Sequence, residues 1–217
     1  MKSILTISNT IELICLVFAL IFLLKDKKRF WHITALYMLL VCATELCSRV
    51  TAVIYHHHNI WIYNIYMLFE AAFISYGLYY FIKDYVKILG WILSSFCIIL
   101  LSNAIFLYNY GINTYNTFTV SLMSIFFVIY SLLYFYLLLK DNNYVDLKNH
   151  PAFWWVGGVL IFYFGSTLCN LFEDVFRIKI TPKTTLRSYI FYFLNAFLYG
   201  SWVYSFICRA RQRKLPH

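Results

Sequence analysis

The most constraining feature of this chain is a series of apolar runs, each about 20 residues long, separated by short basic or polar segments. A helical run of that length spans a hydrocarbon core of about 30 Å. The sequence therefore predicts seven transmembrane helices. They lie near residues 3–24, 31–55, 60–82, 88–108, 118–139, 152–171 and 189–208.

The composition excludes a water-soluble fold. Of the 217 residues, 62% are hydrophobic and 12% are charged, whereas soluble domains carry about 25% charged residues. The alternating pattern of a membrane β-barrel is absent. We therefore expect an all-α, polytopic membrane protein: one seven-helix transmembrane domain over residues 1–217, with no soluble domain.

The distribution of basic residues predicts the orientation. With the N-terminus outside, twelve lysines and arginines fall on the inner side and five on the outer side. Because basic loops stay in the cytoplasm, this count favours an outer N-terminus and a cytoplasmic C-terminus. The basic stretch around Lys25 follows the first run without a small-residue cleavage site, so that run is predicted to be retained.

The net charge of +9 is explained by the lipid bilayer as a partner, since the basic residues lie at membrane boundaries where anionic headgroups neutralise them. No nucleic-acid partner is expected, and no cofactor is predicted. The loops are too short for a signalling domain. A message passed inward would therefore need a cytoplasmic or membrane partner protein, or a homo-oligomer.

Four charged residues fall inside the predicted spans, where a charge costs about 2.5–3.5 kcal/mol at the helix centre and is usually functional. They are Glu12, Glu45, Arg49 and Glu70. The three carboxylates lie about eight to ten residues from the predicted outer helix ends, or roughly 12–15 Å. We predict that they meet at one depth in the outer half of the bundle.

Other polar side chains repeat this bias. The candidate ligand- or ion-binding residues therefore also include Asn9, His56, Asn103, Asn170 and Asn195. The predicted inner half carries a few hydroxyls but neither a charge nor an amide. This asymmetry predicts a polar cavity that opens outward above an apolar inner half.

Two interpretations of this cluster stay open. In the structural one, Arg49 pairs with the carboxylates and the asparagines bond between helices, at about 0.6 kcal/mol per bond. In the functional one, protons or a cation complete the site, because one arginine cannot neutralise three carboxylates. A metal is an open question, since His56, His57 and His58 point in different directions and only His56 could join carboxylates from other helices.

Two further patterns concern packing and the last outer loop. Gly158, Gly165 and Cys169 fall on one face of the sixth run, which favours close helix approach. Residues 175–180 alternate apolar and basic side chains. They could form either a strand-like lid over the cavity or a solvated interfacial loop.

Several segments resemble those of a known group of membrane proteins. The segments are FTVSLMSIFFVIYSLLYFYLLL (118–139), PAFWWVGGVLIFYFG (151–165), TELCSR (44–49) and IYNIYMLFE (62–70). They are similar to segments of small heptahelical proteins common in Bacteroidetes-type bacteria. The resemblance covers most of the chain. It implies a bacterial cytoplasmic membrane and carries over no site residues.

These observations favour a membrane protein that binds or senses a small ligand, proton or cation from outside and acts through a partner. A transporter or pore that uses the same carboxylates is the main alternative. An intramembrane enzyme built on Glu70, His56 and a metal is a weaker hypothesis, because HExxH and GxSxG motifs are absent. A structural subunit that assembles with its own copies is a further one.

Overall fold

The computed structural model describes residues 7–53, 58–141, 146–176, 178–181 and 184–214, without the side chains of Ile7, Asp174 and Lys214. Within these residues the chain forms eight α-helices and one two-stranded sheet. The elements are α1 (Ile7–Leu23), α2 (Arg29–Val53), α3 (Ile60–Ile82), α4 (Leu89–Tyr110), α5 (Thr117–Lys140), α6 (Pro151–Leu171), α7 (Glu173–Phe176), β1 (Lys179–Thr181), β2 (Thr184–Thr185) and α8 (Leu186–Lys214).

Six of these helices are long and apolar enough to cross a membrane: α2 to α6 and α8. Helix α1 is apolar but shorter, with 17 described residues. The described chain is thus a predominantly helical protein of multi-pass membrane character, and the prediction of a seventh crossing rests on α1. The predicted runs match the helix bounds to within a few residues, except that α8 continues six residues beyond the predicted end at residue 208.

Local sequence signals set several helix ends. Helix α5 begins after Asn116, whose side chain accepts a 2.9 Å hydrogen bond from the backbone N–H of Thr119. Helix α6 begins at Pro151, which needs no N–H partner, and His150 caps its first turn. Helix α4 ends at Gly111, whose φ of 76° is favourable for glycine.

Helices α6 and α8 pack closely in antiparallel directions. Ser205 Oγ donates a 2.7 Å hydrogen bond to the carbonyl of Pro151, and Trp202 Nε1 donates one of 3.3 Å to the carbonyl of Trp155. Further along, a Cβ added to Gly158 would lie 3.1 Å from Ser201 Cβ. The small-residue face predicted on the sixth run is therefore a helix-packing face against α8.

A layer of large aromatic side chains occupies the centre of the bundle. This aromatic layer consists of Phe30, Phe73, Trp155 and Trp202, which come from α2, α3, α6 and α8 and are at most 6% exposed. The two indoles stack with centroids 5.4 Å apart, and Phe73 lies 6.0 Å from Trp155 and 5.9 Å from Trp202, edge to face. Such contacts add to the burial of apolar area.

The lower end of the bundle, where α1 ends and α8 ends, contains a buried ion pair. Arg209 Nε donates a 2.8 Å hydrogen bond to Oδ2 of Asp26, and Arg213 Nε lies 3.5 Å from the same oxygen. Asp26 is 4% exposed. This pairing stabilises the last turns of α8. The helix therefore extends beyond the apolar run from which its end was predicted.

At the upper end, where α1 begins, residues 175–180 do not form one extended segment. Residues up to Phe176 belong to the short helix α7, and Lys179–Thr181 pairs antiparallel with Thr184–Thr185. All three residues of β1 are exposed. Part of this loop, β1, is therefore an exposed strand that pairs with β2.

Candidate functional site

A cavity of about 260 Å³ lies between α1, α2, α3, α6 and α8 in the upper half of the bundle. Its lining includes Glu12 of α1, Glu45 and Arg49 of α2, and Glu70 of α3. Carboxylates from the first three helices therefore line one cavity. We call this space the carboxylate cavity.

The three carboxylates differ in their hydrogen bonds. Glu70 Oε1 accepts a 2.6 Å bond from the hydroxyl of Tyr163. Glu45 accepts two longer contacts of 3.3 and 3.4 Å from the hydroxyl of Tyr63. Glu12 is 5% exposed, and among the described residues its Oε2 has no hydrogen-bond partner. An unmet acceptor at a buried carboxylate is costly, so Glu12 needs a donor or a proton.

Arg49 does not neutralise this group by direct pairing. Within the described part of the chain, it forms no ion pair of 4.0 Å or less with Glu45 or Glu70. The close pairing that a structural network would require is therefore not formed. Among the described lining residues, one guanidinium accompanies three carboxylates, so the cavity is acidic overall when its groups are ionised.

Tyrosine side chains form much of the remaining wall. They are not among the candidate binding residues that the sequence predicts. Tyr37 and Tyr66 join their hydroxyls at 2.6 Å, and Tyr163 and Tyr199 are 2% and 7% exposed. Aromatics near helix ends fit an interfacial belt. These tyrosines lie nearer mid-helix, where each buried hydroxyl needs a partner; that position is the signal that could have identified them.

The floor of the carboxylate cavity is apolar. Ile74, Leu198 and Trp202 line it, and Trp202 also belongs to the aromatic layer. The stacked indole of Trp155 lies against Trp202 and is completely buried. The polar upper half thus meets a closed aromatic centre, in agreement with the polar asymmetry of the sequence.

Above the carboxylate cavity lies an upper cavity of about 480 Å³ at the end of the bundle. The two share Ser8, Tyr192 and Asn195 in their linings. Arg187 lines the upper cavity, where it donates 2.9 Å hydrogen bonds to Glu173 and to Oδ1 of Asn170. The carboxylate cavity and the upper cavity therefore adjoin one another.

The asparagines selected from the sequence occupy different places. Asn9 and Asn195 line the carboxylate cavity. Asn170, bonded to Arg187 and to Ser121, lines a side cavity of about 140 Å³ that shares Glu70 and Tyr163 with it.

One selected residue among those described, Asn103, is not brought to these cavities. Asn103 is buried between α4 and α5, where it accepts a 3.0 Å hydrogen bond from Asn116 Nδ2 and lines none of the three cavities. This contact satisfies the amide oxygen locally. His56, with His57, lies outside the described residues.

The donor set does not suit a single metal ion. Within the described ranges, no three histidine, cysteine, aspartate or glutamate side chains are close enough to hold one together. The carboxylates line the same space without converging on one point. The arrangement can therefore hold protons, or it can hold a cation large enough to reach separated groups.

No family model matches this chain, and the search of curated proteins and solved structures gave no significant match.

Proposed function

We propose that this chain is an integral membrane binding or sensing protein. In this proposal, a small ligand, proton or cation enters from the extracytoplasmic side and occupies the carboxylate cavity. The ligand would change the packing of the surrounding helices, and a partner protein would read that change at the cytoplasmic end. The proposal includes seven crossings, with the N-terminus outside and the C-terminus inside.

The observation that carries the proposal is the convergence of Glu12, Glu45 and Glu70 on one cavity with a single arginine in its described lining. Burying an ionisable group within the apolar region of a membrane costs free energy. Such groups usually serve to bind a ligand, an ion or a proton. The long contacts of Glu45 and the unmet oxygen of Glu12 leave acceptors that a ligand, a cation or a proton can satisfy.

The orientation and the location rest on the sequence. The excess of basic residues on the lower side supports a cytoplasmic lower end, which leaves the upper cavity facing outward. The resemblance to heptahelical proteins of Bacteroidetes-type bacteria supports a bacterial cytoplasmic membrane. The short loops favour a separate partner, or a second copy of the chain, as the receiver of the signal.

Thermal unfolding of the purified protein in lipid nanodiscs tests the binding proposal. The melting temperature of the wild type should depend on pH or on the cation present, because ligands of the native state stabilise it by mass action. Glu70→Gln should reduce this dependence. Asp146→Asn is the matched control, since Asp146 is an exposed residue at the lower end. Equal responses in all three proteins would support a purely structural network instead.

A transporter or pore is the second candidate, and a cavity at the lower end favours it. This lower cavity of about 200 Å³ is lined by Lys28, Trp31, Asp84 and Arg209, among others. The aromatic layer separates it from the carboxylate cavity, as expected for a carrier closed on one side. Flux in proteoliposomes that Glu70→Gln abolishes would favour transport, whereas stabilisation without flux would favour sensing.

A further inference from the structure

From the lining of the carboxylate cavity, we infer its ligand class: the cavity binds an organic ammonium ion, a positively charged amine on a short carbon stem. This inference rests on the proposed binding function and narrows it. Four properties of the cavity carry it: its charge, its unmet acceptor, its aromatic wall and its size.

The charge of the lining selects a cation. Glu12, Glu45 and Glu70 outnumber Arg49, and no close ion pair within the described residues removes any of these charges from the balance. An anionic ligand would face repulsion from separated carboxylates in a medium of low dielectric constant. A cation placed among them would be attracted by each.

The unmet oxygen of Glu12 selects a hydrogen-bond donor. The nearby hydroxyl of Tyr163 is donated to Glu70, and the hydroxyls of Tyr37 and Tyr66 bond to each other. These three hydroxyls are therefore already engaged, and Glu12 Oε2 can accept a hydrogen bond from a ligand. An ammonium group offers three donors and no acceptor, whereas a carboxylate or phosphate ligand would bring more acceptors to a site that already has a surplus.

The aromatic wall selects an organic cation. Tyr66, Tyr199 and Trp202 line the same space as the carboxylates. Aromatic faces attract ammonium ions, and desolvated examples are worth about 2 kcal/mol. The same rings provide apolar contact for the carbon stem. An alkali or alkaline-earth ion would gain little from such a wall.

The size of the cavity agrees with this class. Its volume of about 260 Å³ exceeds the roughly 150 Å³ of an engineered cavity that accepts benzene. The described carboxylates do not converge into a metal site. A ligand with several carbon atoms can contact separated carboxylates, and a bare ion cannot.

Binding of four-carbon probes to the nanodisc-embedded protein tests the inference. The probes are 1,4-diaminobutane and butylamine, with butanol as the neutral isostere, butyrate as the anion, and Na⁺ and Ca²⁺ as inorganic cations. We expect the two amines to raise the melting temperature and the other probes to have little effect. Glu12→Gln should weaken amine binding by roughly tenfold or more, while Asp146→Asn should bind amines as the wild type does.

The outcomes separate this inference from the proposed function. Responses to Na⁺ or Ca²⁺ that require Glu12, without a response to amines, would overturn the ligand class and keep the cavity as a cation site. A response to pH alone would mean that the bound species is a proton. It would also overturn the inference of an organic ammonium ligand. If no probe and no pH change acts on the wild type, both proposals fail. The comparison of amine with butanol uses only the wild type, so it holds even where Glu12→Gln does not fold.

Discussion

Tyr163 of α6 donates a 2.6 Å hydrogen bond to Oε1 of Glu70 on α3. The pair lies in the wall that the carboxylate cavity shares with the side cavity. Tyr163 is 2% exposed, so solvent cannot easily replace its hydroxyl. This bond links a carboxylate of the cavity to a side chain of α6.

Removing that hydroxyl should destabilise the protein. Tyr163→Phe leaves the part-buried carboxylate of Glu70 without its donor, which costs about 1–3 kcal/mol. We expect a clear fall in melting temperature in nanodiscs. Tyr136→Phe is the control, because Tyr136 is 60% exposed. Equal melting temperatures for the two variants would mean that the bond to Glu70 contributes nothing to stability.

The packing of the Trp155 side chain of α6 against α3 requires a glycine. A Cβ on Gly77 would lie 2.3 Å from Cη2 of Trp155, inside the aromatic layer. Gly77→Ala should therefore force the indole to move and cost about 1–3 kcal/mol. Gly200→Ala in α8 meets no atom within 4 Å and should leave the melting temperature unchanged or slightly higher. A Gly77→Ala protein as stable as Gly200→Ala would contradict this packing.

The ion pair at the lower end should contribute to stability. Asp26→Asn leaves Arg209 and Arg213 without their carboxylate, and breaking a buried pair costs about 3 kcal/mol. Asp146→Asn changes the same charge at an exposed site and should have little effect. Melting curves of the two variants at neutral pH give the comparison. Similar curves would show that the pair does not hold α8 to the loop after α1.

His150 should make stability depend on pH. Burial lowers the pKa of His150 below its ordinary value of 6.5, and its Nδ1 accepts a 3.3 Å bond from the backbone N–H of Phe153. The folded state thus favours the neutral ring. Its contribution is complete above the unfolded pKa and is lost as the pH falls through the lowered folded pKa.

His150→Asn isolates this effect, because asparagine can cap the helix and does not titrate. Between about pH 7.5 and about pH 5, the wild type should lose more stability than the variant. The measurement is the difference in melting temperature between the two pH values for each protein. Parallel losses would assign the pH dependence to other groups.

The sequence predicts the helices well because each apolar run of about 20 residues has one physical solution in lipid. It does not predict the end of α8, since the contact of Arg209 with Asp26 joins residues 183 positions apart. Hydropathy carries no information about such a contact. The pairing of β1 with β2 is likewise a short local contact that an alternating pattern indicates only in part.

The carboxylates of the cavity could be predicted because charge inside a span is rare and depth follows from helix rise. Their partners could not. Whether Glu45 bonds to Arg49, four residues away, or to Tyr63 on another helix depends on side-chain direction and helix rotation. The same limit explains Asn103, whose depth is suitable but whose amide is used by Asn116.

The proposed function requires that water and cations reach the carboxylate cavity from one side of the membrane. Thiol labelling tests this most directly, in a background without the native cysteines and in vesicles of known orientation. Asn195→Cys lies in the wall shared by the carboxylate and upper cavities, and Phe193→Cys, at a residue 66% exposed on the helix surface, is the lipid-facing control. A membrane-impermeant trimethylammonium thiol reagent should label Asn195→Cys from the extracytoplasmic side only, and much faster than Phe193→Cys. The presence of 1,4-diaminobutane should slow the labelling of Asn195→Cys. Equal labelling of the two variants, or labelling of Asn195→Cys only from the cytoplasmic side, would contradict the account.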